Sequence, residues 1–63
     1  MIRVTGEFNN QWIGFSSENV LYVAEEGPNK YAVVHLEGGS LIQTNMPFEE
    51  VMKQVEEEEY ARK

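Results

Sequence analysis

His35 is the one side chain in this 63-residue sequence suited to proton transfer near neutral pH. A histidine base needs a nucleophile or an acid within reach, and a histidine ligand needs further His, Cys or carboxylate ligands at matching spacing. The sequence supplies neither pattern. His35 sits in the apolar run Tyr31-Ala32-Val33-Val34-His35-Leu36, which reads as a strand histidine at a sheet surface or subunit contact. Ser16, Ser17 and Ser40 fall in turn segments, and none stands in a Gly-x-Ser-x-Gly elbow. Gly38-Gly39 has no lysine after it and joins two strands, so it is no phosphate loop. The run Glu56-Glu57-Glu58-Glu59 carries the ligand chemistry of calcium and magnesium sites. On a helix, though, successive carboxylates point in different directions, and the run reads as a solvated helix end. The expectation is a non-enzyme with no catalytic residue, no metal ligand and no cofactor.

The elements that carry these residues are short. Residues 2–5 form a first strand with β-branched side chains at alternate positions. Asn9-Asn10 suits the positive φ of a tight turn. Residues 11–15 follow as a second strand, in which Gly14 suggests a bulge or a close backbone approach. Residues 20–25, 31–36 and 41–44 are the remaining strands, separated by a turn at Gly27-Pro28 and a hairpin at Gly38-Gly39. A helix is expected over residues 45–60, capped by Thr44 or Asn45, with Pro47 near its first turn. Its apolar stripe is Phe48, Val51, Met52 and Val55. Glu58 and Glu59 can each pair with Arg62 and Lys63, and the last five or so residues are expected to fray.

This is an α+β domain: a small, strongly bent antiparallel sheet of about five strands with one C-terminal helix, spanning residues 1–63. Pairing Leu36 with Leu41 places Val34 opposite Gln43 and His35 opposite Ile42. One face then holds Val34, Leu36 and Leu41, and the other Val33, His35 and Ile42. A half-exposed antiparallel strand normally alternates apolar with polar. Here both faces are apolar and one helix can cover only one of them. The second must curl into a small barrel or meet another chain. The interface residues expected on that ground are Trp12, Tyr31, Val33, His35 and Ile42, since aromatic side chains bury large area at small entropic cost.

Charge narrows the partners. Eleven glutamates face five basic residues, for a net charge of −6. Such a surface repels phosphate backbones and anionic membranes. No apolar run approaches the roughly 20 residues of a membrane span. The start, Met1-Ile2-Arg3-Val4-Thr5, lacks the apolar region of a signal peptide, and there is no cysteine. A cytoplasmic protein is expected, of a bacterium or of a phage-infected host, partnered by itself or by another protein. Two other readings belong to different classes. One is an acidic inhibitor, from phage or host, that blocks a basic partner. The other is a nucleic-acid-binding regulator.

One resemblance spans nearly the whole chain. Ile2-x-Val4-Thr5, then Glu18-Asn19-Val20-x-Tyr22-Val23, then Val33-Val34-x-Leu36-x-Gly38-Gly39, then Pro47-Phe48-Glu49-Glu50-Val51 resembles the small FlbD/SwrD-type flagellar proteins. That resemblance implies a non-catalytic accessory role in motility or its regulation, and it carries over no functional residue. The stretch from Val20 through Leu36 to Gly39 is also similar to part of the LytTR DNA-binding domain. This chain is shorter than that domain and lacks the basic residues that would meet DNA.

Overall fold

The β-branched and aromatic runs become strands, and the turns at Asn9-Asn10, Gly27-Pro28 and Gly38-Gly39 separate them. The computed structural model describes residues 1–61. The strands are β1 (Ile2–Thr5), β2 (Trp12–Phe15), β3 (Val20–Glu26), β4 (Tyr31–Leu36) and β5 (Leu41–Pro47), followed by the helix α1 (Phe48–Ala61). The proposed pairing of Glu58 and Glu59 with Arg62 and Lys63 lies outside the described residues. So does part of the expected frayed end, although α1 itself runs on to Ala61.

The strands form two antiparallel sheets, β1-β2 and β3-β4-β5. The bridge Gly6 to Thr44 joins them, and the Glu7 N–H donates to the Gln43 carbonyl at 2.9 Å beside it. The sheet is bent but does not close into a barrel. Asn10 takes φ 54°, as its turn requires. Gly14 sits in a regular register opposite Arg3, with no bulge. Its missing Cβ makes room for the Met1 side chain, whose sulfur would lie 2.6 Å from that atom.

The helix covers one face of this bent sheet. Val51 and Val55 are buried with Ile2, Val4, Phe15, Ala32 and Val34 in one apolar core, while Phe48 and Met52 are half-buried. The apolar stripe therefore faces inward as its spacing demands. Glu58 lies one turn beyond Val55 and departs from the solvated reading of the glutamate run. It is half-buried, accepts the Ser17 N–H at 3.2 Å and lies 3.7 Å from the Met1 amino group. One turn earlier, the Gln54 amide accepts the Arg3 N–H at 3.0 Å and donates to the Arg3 carbonyl at 2.9 Å. That amide does for β1 what a neighbouring strand would do.

The helix starts later than the sequence suggests, and neither expected cap is one. β5 continues through Pro47, because β4 and β5 pair across an irregularity: Val33 opposes Gln43 and Tyr31 opposes Pro47. Between those rungs β4 has only Ala32, while β5 has Thr44, Asn45 and Met46. The buried Thr44 fills the gap with its hydroxyl, which donates to the Ala32 carbonyl at 2.8 Å and accepts the Met46 N–H at 3.2 Å. Asn45 turns the other way. Its amide accepts from the Thr5 hydroxyl and donates to the Asn10 side chain, tying β5 to the first hairpin.

Candidate interaction surface

The register of the second hairpin decides which side chains share the uncovered face. Gly38 and Gly39 both take positive φ, 88° and 86°, a region closed to most side chains. The loop is longer than a two-residue turn. It winds through Glu37–Gly39, and the Leu36 N–H donates to the Ser40 carbonyl at 2.8 Å. His35 therefore opposes Leu41, Val34 opposes Ile42 and Val33 opposes Gln43. This is one residue off the expected pairing, and in a sheet such a slip exchanges faces. Ile42 is corrected by it: the side chain packs against the core with Val34, not beside His35.

The outer face carries Tyr22, Ala24 and Glu26 from β3, Tyr31, Val33 and His35 from β4, and Leu41 and Gln43 from β5. A bulge at Leu21, between Val20 and Tyr22, brings Tyr22 opposite His35. Their rings stack at 4.2 Å with an interplanar angle of 15°. The Glu26 carboxylate lies 3.8 Å from His35 Nε2, an ion pair only when the imidazole is protonated. On the other side of His35, Leu41 is 51% exposed, and Tyr22 is 56% exposed. One rung across three strands thus presents tyrosine, histidine and leucine to solvent. Leu21 is exposed at the same end.

Of the five residues expected at an interface, the structure brings three together. Tyr31, Val33 and His35 share this face. Val33 is only 6% exposed, so its neighbours already cover it, and Tyr31 and His35 are half-buried. Ile42 is on the core side. Trp12 stands apart at the start of β2, opposite Thr5, with the Arg3 guanidinium 5.0 Å from its ring centroid. It is 64% exposed, in cation–π range of one cation and outside the core. Tyr22 and Leu41 join this face although neither is among those five: a bulge sets the phase of Tyr22, and the slipped register brings Leu41 beside His35.

Tyr22 and Glu26 flank His35, and no group of three or more His, Cys, Asp or Glu side chains that could hold a metal lies among the described residues. No helix in the described residues is long and apolar enough to cross a membrane. Compared with protein-family models, curated proteins and solved structures, the chain matches none of them.

Proposed function

We propose that this chain is a non-enzymatic protein-interaction module that self-associates, or docks on a larger assembly, through the outer face of β3, β4 and β5. The observation that carries the reading is the rung Tyr22–His35–Leu41, whose two outer members are each more than half exposed. Apolar surface gains about 25 cal/mol per Å² when removed from water. Tyrosine adds large area with few rotatable bonds, which is why it is enriched where proteins meet.

Charge distribution supports the same face. Six of the eleven glutamates, Glu49, Glu50 and Glu56 to Glu59, lie on α1, which packs against the opposite side of the sheet. Glu26, the carboxylate nearest His35, is within ion-pair distance of it. A second surface can therefore approach the outer face without confronting the main concentration of negative charge. A non-catalytic accessory role is also what the resemblance to small flagellar proteins implies.

Light scattering coupled to size exclusion, across a dilution series, tests the reading. The expected result is a mass above 7.3 kDa at high concentration that Leu41→Lys returns to the monomer, or a monomer whose capture by a purified partner fails in Leu41→Lys and Tyr22→Ser. A strict monomer whose two variants leave every partner interaction unchanged sinks the proposal.

A further inference from the structure

We infer that the interaction surface includes a strand-addition site at the start of β5, and that its occupant is an extended, basic and apolar segment of a partner protein. The inference rests on the reading of the chain as an interaction module and names the partner's chemistry. It begins from hydrogen-bond direction. The Gln43 carbonyl accepts from Glu7, on the side of β5 away from β4. Along a strand, backbone groups alternate sides with period two. Leu41 therefore turns its N–H and carbonyl to that same outer side. The loop agrees, since the Ser40 carbonyl points the other way, toward Leu36. The chain next to Gln43 does not continue far enough to meet Leu41. After Glu7 it turns back into β2, held by Gly6 N–H to Gln11 carbonyl at 3.0 Å and Asn10 N–H to Gly6 carbonyl at 3.2 Å.

The space left beside Leu41 is an open groove of about 230 Å³. Ile13 and Ile42 line it with Phe8 and Leu41, and Phe8 is 83% exposed. Pockets for drug-sized molecules run to about 300–1,000 Å³, so this groove suits one or two side chains of a peptide better than a small molecule. An edge with unpaired backbone groups beside an apolar slot is the arrangement that adds a strand: main-chain bonds give affinity and the slot selects alternate side chains. Among the described residues, the one charged side chain lining the groove is Glu7, and the whole chain carries −6. A second copy would bring its own Glu7 and its own −6. A segment carrying lysine or arginine beside an apolar residue complements both the slot and the charge.

The test is selection of a random heptapeptide display library on the full chain, followed by the enriched peptides on variants. Leu41→Pro removes the outward N–H without removing a β4–β5 ladder bond. Ser40 before it is already extended, at φ −79° and ψ 153°, as a residue preceding proline should be. Leu41→Ala keeps the donor and loses the side chain, and circular dichroism confirms that both variants fold. The expected result is enrichment of alternating apolar residues with lysine or arginine. Leu41→Pro should then bind at least about tenfold more weakly than Leu41→Ala, the size of one lost hydrogen bond with its orphaned partner, and Glu7→Lys should weaken the basic peptides. Acidic or charge-indifferent peptides, or equal binding by the proline and alanine variants, overturn the inference. So does a dilution-dependent shift of the Leu41 amide resonance without peptide, which would place a second copy in the groove. If Tyr22→Ser abolishes partner binding while the library gives no enrichment, the strand site falls and the outer-face reading stands.

Discussion

Thr44→Val separates hydrogen bonding from packing at the centre of the sheet. Valine matches threonine in shape and replaces only the hydroxyl. That hydroxyl now serves the Ala32 carbonyl at 2.8 Å and the Met46 N–H at 3.2 Å, and Thr44 is 1% exposed. Leaving a buried polar group without a partner costs about 1–3 kcal/mol. Ala32 is fully buried and Met46 half-buried, so together they imply about 2–4 kcal/mol. At about 0.05–0.15 kcal/mol per residue, a chain this long is stable by only about 3–9 kcal/mol. Thr44→Ser keeps the hydroxyl and loses one methyl, at a cost of about 1 kcal/mol. Urea unfolding followed by circular dichroism gives the comparison. With a slope near 1 kcal/mol per M, the valine midpoint should fall by about 2 M or more and the serine midpoint by about 1 M. Packing alone predicts the reverse order. If Thr44→Val is as stable as the parent, or more stable than Thr44→Ser, the account of the gap in the β4–β5 ladder is wrong.

Val34→Ala should lower stability by about 2 kcal/mol in the same assay, because Val34 is fully buried between Val23 and Ile42 and two methyl groups leave a cavity. Gly38→Ala should cost about 1 kcal/mol, read as a lower thermal midpoint, although the position is open to solvent; the penalty comes from φ 88° and not from a clash. Gln54→Ala should cost about 0.5–1.5 kcal/mol and speed hydrogen exchange at the Arg3 amide, which loses its acceptor. Unchanged exchange there would mean that the side-chain amide does not hold β1.

Strand positions were legible because β-branched runs and glycine-rich turns leave little choice of local structure. The strands at residues 2–5 and 31–36 match in full, and Asn10 takes the positive φ its type allows. Register was not legible. The glycine pair requires two positive φ angles but does not say how many residues the loop consumes, and one added residue moved Ile42 to the core and Leu41 to the surface. The helix start was misplaced because Thr44 and Asn45 have the chemistry of caps. Both side chains serve other backbone and amide groups instead, at an irregularity that leaves no mark in hydropathy. Glu58 was hidden for a related reason. A carboxylate in an acidic run reads as solvated until the facing backbone N–H, here that of Ser17, is in place. The interface residues followed the register: three of the five remained on one face, and the two most exposed members of its Tyr22–His35–Leu41 rung lay outside the five.

The amide bracket between Gln54 and Arg3 sets a timetable for synthesis. Its partners are 51 residues apart, and Ile2 and Val4 have their apolar cover in Val51 and Val55. β1 is thus secured by a segment made 51 residues after it. At about 5–20 residues per second, the interval between translating the two is roughly 3–10 s. Through that time β1 can form its hairpin with β2 but lacks the helix that covers its apolar side. Nascent chains halted before Gln54 should therefore remain open to proteases and chaperones, and a truncated product should be cleared instead of accumulating. The hairpin of β1 can therefore form early, while its place in the core waits for α1.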